Sequence, residues 1–259
     1  MNSPQLLTYD LGDRVTAFST TRHGGVSEGA YGGFNVNGYC GDDEAHVQAN
    51  RQLLATQLGV PADRIVLPHQ VHGIEVRAVA PELFSLPAAV RAQILEGVDV
   101  VMTAMTGVCI GVSTADCIPV LLYDPVAHAA AAIHAGWRGT LQRVCMFAVN
   151  AMRLHYGADP TRLRAVVGPG ISVARFEVGQ EVYDQFAQAG FDLSDTAVKY
   201  DKWHLDLPRI NTRQLTETGV PAGQISQAGI CTYDHADDYF SARRLGVASG
   251  RIYTGIVLR

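Results

Sequence analysis

The sequence predicts an α/β fold, and three observations carry that prediction. Residues 98–103, 109–113, 118–123 and 129–134 are closely spaced, almost wholly apolar runs, the pattern of strands buried on both faces. Segments with helical spacing and recognisable ends flank them, the clearest being residues 140–156. No repeat, low-complexity tract or long linker interrupts the chain, so residues 1–259 are expected to form one integrated domain. At 47% hydrophobic, a chain of 259 residues has the material for a sizeable core.

Taken in order, residues 14–20 alternate and are β-branched enough for a strand, which feeds the glycine-rich segment Thr-Arg-His-Gly-Gly-Val-Ser (21–27). Glycine there permits tight backbone geometry near a ligand. A helix follows, with Asp42 or Asp43 as N-cap, Val47, Leu54 and Leu58 on one face and Gly59 as its stop. Short strands are expected over residues 65–67 and 74–79. The apolar runs 118–124 and 129–135 are separated by the turn residues Asp124 and Pro125, which reads as a hairpin. Residues 140–156 place Leu141, Val144, Cys145, Ala148, Met152 and His155 at three- and four-residue steps and end at Gly157. Beyond a strand over 164–167, residues 178–189 and 208–218 read as helices, the second with Asp206 near its start and Gly219 as terminator. Residues 225–230 and 251–258 close the fold as strands.

Charge and cysteine content narrow the function classes. Net charge is -5 and the basic residues are dispersed apart from Arg243-Arg244, which argues against nucleic acid as a partner. The five cysteines are odd in number and show no C-x-x-C pairing, as suits a reducing cytoplasm. The N-terminal residues lack the basic and apolar regions of a secretory signal, and no stretch reads as a membrane span, so a cytoplasmic protein is expected.

His72 in Pro-His-Gln-Val-His-Gly, Cys117 in Thr-Ala-Asp-Cys-Ile-Pro-Val and His134 in His-Ala-Gly-Trp-Arg-Gly-Thr each sit in a stretch that reads like a site. The hairpin returns His134 toward Cys117, and His72 on the same edge makes two imidazoles and one thiolate, an open zinc site with room for water or substrate. Taken singly, each is more often something plainer: a buried cysteine is usually a small hydrophobe and a lone histidine a satisfied core or surface group. No short zinc motif links them, and His69 is a rival for His72. Asp116 is a carboxylate between apolar runs and needs a partner such as a metal, a cation or hydrogen-bond donors. Arg22 and Arg138 lie in glycine-containing turns where a guanidinium can hold phosphate or carboxylate, although loop arginines are as often merely solvated. Asn35 and Gln70 are amide candidates for a base or sugar, in a residue type common in turns.

These residues fall within a set of motifs that resembles the YfiH-type, laccase-domain family, regarded as purine nucleoside phosphorylases of broad specificity. The matching stretches are residues 18–27, 70–73, 114–125, 134–140, 167–171, 176–179 and 240–244, in that order along almost the whole chain. The resemblance implies mixed β-sheets packed between helices, with zinc bound by His72, Cys117 and His134. Two departures from the family pattern are Val173-Ala174-Arg175, where cysteines are common, and Ala242 in place of an aromatic. The first puts Arg175 forward as a residue that alters the substrate cleft.

The activity so implied is phosphorolysis of purine nucleosides (adenosine, inosine, guanosine, methylthioadenosine), with adenosine deamination as a companion. Purine nucleoside and phosphate are the expected partners, Cys117, His134 and Asp116 the expected catalytic residues, and Arg22, Asn35, Gln70 and Arg138 the expected substrate contacts. Copper-dependent phenol oxidation is an alternative, since a His/Cys/His set also binds copper. None of the nine histidines forms the H-x-H pairs that a trinuclear cluster would use. A metal-free Cys117–His134 hydrolase acting on cell-wall precursors is a third reading, and a zinc-stabilised binding module a fourth.

Overall fold

The computed structural model describes residues 3–259. The chain opens with an antiparallel pair, β1 (Leu6–Tyr9) and β2 (Val15–Thr20). A loop leads to α1 (Glu44–Leu58), whose N-cap is Asp43, accepting from the N–H groups of Ala45 and His46, and whose stop is Gly59 in the left-handed region. Short strands β3 (Ile65–Val66) and β4 (Val76–Ala78) precede two short helices, α2 (Pro81–Ser85) and α3 (Ala88–Ile94). The central strands follow: β5 (Val100–Thr103), β6 (Cys109–Thr114), β7 (Ile118–Asp124) and β8 (Ala129–Ala135), every residue of them buried.

The helix expected over 140–156 is two helices, α4 (Trp137–Leu141) and α5 (Val144–Tyr156). Arg143 breaks them with φ +64, so the chain turns a corner that apolar periodicity alone does not show. Then come β9 (Arg164–Val167), β10 (Glu177–Val178), α6 (Gln180–Gln188), β11 (Ala197–Lys199) and β12 (Trp203–Leu205). The chain ends with α7 (Leu207–Glu217), β13 (Ile225–Gln227), α8 (Ala242–Leu245) and β14 (Ile252–Leu258).

Three sheets result, in the orders β1-β2-β14-β6-β3, β13-β9-β7-β8-β5-β4 and β10-β12-β11. The first two mix parallel and antiparallel pairs, and they pack face to face through Ala17, Ile110, Val112 and Ile256 on one side and Val101, Leu121, Tyr123 and Ala132 on the other. The outer face of the six-stranded sheet, carrying Val100, Val120 and Ile133, is covered by Val144, Ala148 and Met152 of α5 with Leu207 and Ile210 of α7. On the outer face of the five-stranded sheet, Phe18, Cys109 and Tyr253 meet Leu54 and Leu58 of α1. The expected α/β class, with mixed sheets between helices, is what the chain adopts. Since each central strand has one face on the other sheet and one on a helix, polar alternation has no place in it.

Asp124 ties the β7–β8 turn to the body of the fold. Its buried carboxylate accepts from the N–H groups of Val126 (2.8 Å), Ala127 (3.1 Å) and Asp159 (2.9 Å), and from the Arg162 guanidinium (3.3 Å). Burial alone would raise this carboxyl, but the three backbone donors and then Arg162 hold it below the usual carboxylate range. Asp124→Asn should therefore lower unfolding free energy at pH 7 by about 1.5–3 kcal/mol in urea titrations. A depressed folded value means the contribution is complete above the unfolded value of about 3.9 and is lost as pH falls through the folded one, so the gap between wild type and variant should narrow in acid.

Candidate metal centre and cleft

Cys117 directly precedes β7, and His134 is the sixth residue of β8. In the hairpin register Ile118 faces Ala135 and Pro119 faces His134, which brings the cysteine and histidine to one end of the six-stranded sheet. His72 arrives on the loop before β4. The ligand atoms of His72, Cys117 and His134 all lie within 4.8 Å of one another, and among the described residues this is the one such group of metal-ligating side chains. The two imidazoles meet edge to face, 4.8 Å between centroids.

Asp99, just ahead of β5, holds this arrangement together. Its carboxylate is fully buried and accepts from the backbone N–H groups of Val71 (3.3 Å), His72 (3.0 Å) and Gly73 (2.7 Å), and from Nδ1 of His134 (2.6 Å). Its carbonyl also receives the N–H of His134 at 2.8 Å. Three donors from successive residues explain how His72 keeps φ +66, a conformation non-glycine residues rarely adopt. With Nδ1 donating to Asp99, Nε2 is the His134 nitrogen left to face the cluster.

Burial alone would raise the Cys117 thiol. The charge of His134 and the hydrogen bonds of His134 and then His72 outweigh it and bring the thiol down to about 6. Burial likewise pulls His134 down, and the Cys117 thiolate together with Asp99 pushes it up to about 9. The pair is a thiolate–imidazolium couple, which a metal ion would convert to thiolate and neutral imidazole with release of a proton. Two nitrogens and one soft sulfur within this span fit a single ion with bonds of about 2.0–2.3 Å after small side-chain closure.

Gly136 shows how tightly the cluster is built. A Cβ there would lie 2.7 Å from Cδ2 of His72 and 3.1 Å from Sγ of Cys117, so glycine is the residue whose backbone can pass behind both side chains.

The cluster opens into a cleft of about 260 Å³ that is also lined by Tyr39, His69, Gln70, Ser113, Thr114 and Arg251. Tyr39 stacks on His69 at 4.4 Å, and Nδ1 of His69 contacts Glu96 at 2.7 Å. His69 is thus a wall of the cleft and His72 the member of the donor cluster. The Gln70 amide is committed to the backbone of Ser113 in both directions, 2.8 Å each way, and fastens the 70–73 loop to β6. Thr114 Oγ1 is buried and has no hydrogen-bond partner among the described residues.

Other expected site residues lie elsewhere. Asp116 has φ +85, and its oxygens accept from Thr232 Oγ1 (2.7 Å) and the N–H of Arg243 (2.6 Å). It holds the backbone that presents Cys117 and does not line the cleft. Asn35 is fully buried, its amide shared among Asn37, Asp42 and the N–H of Arg251. Arg22 donates to the carbonyls of Ala236 and Gly32 and lies over Phe240. Arg138 is exposed and stacks on Trp137. Arg175 pairs with Asp234 at 2.6 Å, away from the cleft, whereas Ala242 does line it. In the glycine-rich segment the close approach is chain on chain: a Cβ on Gly25 would meet Asn50 and the carbonyl of Gly33.

Asp99 was open to the same reasoning that singled out Asp116, a carboxylate inside the apolar run Val98 to Met102. Tyr39 and Arg251 carry no local signal, since they reach the cleft from a loop and from the start of the last strand.

A family profile described as multi-copper polyphenol oxidoreductase laccase matches residues 16–259. A purine nucleoside phosphorylase of Bacteroides thetaiotaomicron is 42% identical over 247 residues, covering 94% of this chain and 92% of the relative. A protein named adenosine deaminase RL5, from an unknown prokaryotic organism, is also 42% identical, over 245 residues and 93% of both chains. The crystal structure of the Bacillus licheniformis hypothetical protein YfiH superposes with a TM-score of 0.92 at 29% identity, covering 100% of this chain and 98% of the other.

Two substitutions test the geometry. Asp99→Asn removes the carboxylate that orients His134 and clamps the His72 loop, and should weaken metal binding on the order of tenfold to a hundredfold in competition with a chromogenic chelator. Gly136→Ala should displace His72 and Cys117 and weaken binding similarly, with the circular dichroism spectrum unchanged because φ at this position is -68.

Proposed function

Because the chain belongs to the multi-copper polyphenol oxidoreductase laccase family, we propose that it is an enzyme that cleaves purine nucleosides with phosphate, with His72, Cys117 and His134 as ligands of a zinc ion. The observation that carries this reading is the convergence of the three donors under one buried carboxylate, at the base of a cleft with a flat aromatic wall. The phosphorylase name of the Bacteroides relative supports the reaction class, and the deaminase name of the other supports adenosine as a second substrate. The five unpaired cysteines support a cytoplasmic setting.

In the reaction a phosphate oxygen forms a bond to the sugar C1′ while the bond from C1′ to the purine nitrogen breaks. The electron pair leaves with the purine, and the proton of hydrogen phosphate ends on it. When bound, zinc would supply Lewis acidity that polarises an oxygen or stabilises developing negative charge. The stacked Tyr39 and His69 offer a face for the purine ring, as aromatic walls do for nucleobases. The Thr114 hydroxyl, which has no hydrogen-bond partner among the described residues, is available to a sugar hydroxyl or base edge. Asp99 keeps His134 in one tautomer throughout, and Asp116 keeps Cys117 on its strained turn.

A second reading has one observation in its favour: Cys117, His134 and Asp99 are also ordered as a thiol nucleophile, its base and the group that orients the base. His72, which also hydrogen-bonds to the sulfur, has no task in such a triad and has one in a metal site. Copper suits the donor set too, but a multicopper oxidase needs further clustered histidines, and the cluster here holds two of nine.

The deciding experiment is a product assay with inosine and adenosine, with and without phosphate, on protein of measured metal content. Free purine and ribose 1-phosphate should appear in the presence of phosphate, with about one zinc per chain. Cys117→Ser should abolish both metal and activity with a near-native circular dichroism spectrum. Full activity after complete chelation would instead favour the thiol triad.

A further inference from the structure

Phosphorolysis requires a cation for phosphate, and the arginines expected to supply one do not face the cleft. Arg251 lines it, but its terminal nitrogens donate to the carbonyls of Val247 (2.9 Å), Ser249 (2.6 Å) and Gly250 (2.9 Å). Arg51, on the inner part of α1, is different. Its Nε donates to the carbonyl of Val36 at 3.0 Å, which fixes the guanidinium plane, while its terminal nitrogens have no hydrogen-bond acceptor and no carboxylate within 4.0 Å among the described residues. Tyr253 and Tyr39 are the ionisable groups that face it, and both phenols are held neutral by burial. A partly buried guanidinium without a counter-charge is costly unless an anion comes to it.

Arg51 lines a cavity of about 450 Å³ beside the donor cleft, and Tyr39 is a wall of both. Arg91 lines the same cavity and makes no ion pair among the described residues; the carboxylate there, Asp63, is on an exposed residue and bonds to neither arginine. Leu83, Phe84 and Leu95 form the apolar side, which lowers the competing hydration of an anion. A planar fork with free N–H groups is the arrangement that recognises phosphate oxygens two at a time.

We propose that Arg51 anchors the phosphate co-substrate beside Tyr39, with Arg91 adding to the positive field of the same cavity. The assignment rests on the phosphorolysis reading for the role of the anion, but the anion subsite itself does not.

The test uses the full chain loaded with zinc. Initial rates with inosine across a phosphate titration should show the phosphate KM of Arg51→Met raised on the order of tenfold to a hundredfold. The inosine KM should stay within about twofold, since the residue contacts the other substrate. Isothermal titration with inorganic phosphate should show the same loss. An unchanged phosphate KM together with unchanged phosphate binding would overturn the proposal and leave the phosphorylase reading standing. Phosphate binding that depends on Arg51 in a wild-type protein without phosphorolysis would uphold the subsite and sink that reading. If Arg51→Met does not fold, phenylglyoxal labelling of the wild type, mapped by mass spectrometry, decides: inorganic phosphate should slow modification of Arg51, and no protection would overturn the subsite.

Discussion

The site depends on one buried carboxylate. Asp99 accepts three successive N–H groups from the 71–73 loop and the imidazole of His134, so a single side chain fixes the approach of one proposed ligand and the tautomer of another. Burial of a carboxylate is expensive in itself, and here the His134 and backbone donors more than offset it, holding the group below its ordinary range. Remove the carboxylate and three things fail together: the left-handed turn at His72 loses its donors' acceptor, His134 is free to rotate, and the thiolate of Cys117 loses a cationic neighbour.

Around that constraint the fold is arranged to make the three donor side chains meet. The β7–β8 hairpin, closed by Asp124, sets Cys117 against His134 through its register. Asp116 takes up the strain of the turn into β7 by bonding to Thr232 and to the backbone of Arg243, which links the cysteine loop to the C-terminal segment that forms part of the cleft. Gly136 gives the space in which His72 and Cys117 lie side by side. The two sheets and their covering helices supply the rigidity on which such close placement depends.

Much of this was legible in the amino-acid order because the relevant signals are local. Buried strands announce themselves as apolar runs, the α1 caps as Asp43 and Gly59, and the hairpin as Asp124-Pro125 between two such runs. Cys117 and His134 stood out at one end of the two apolar runs of the hairpin, whereas His72 was separated from its rival His69 by the family resemblance, and the structure brings the three together. What local pattern does not encode is the partner a side chain finds across the fold. Arg22 and Asn35 looked available because they sit in turns and Asp116 because it lies between apolar runs, yet each is committed to groups that are near only after folding: Ala236, Arg251 and Thr232. The strand β1, the small sheet of β10, β11 and β12, and the helices α2 and α3 were too short for their periodicity to register. The corner at Arg143 is a single left-handed residue inside an unbroken apolar rhythm.

The central claim is that the Asp99 clamp makes His72, Cys117 and His134 one metal site. X-ray absorption at the metal edge of protein purified without added metal tests it most directly, since it reads the donor atoms themselves. The account predicts a zinc edge with one sulfur at about 2.3 Å and nitrogen neighbours at about 2.0–2.1 Å. A shell of nitrogen and oxygen alone, or protein free of bound metal and fully active, would contradict it.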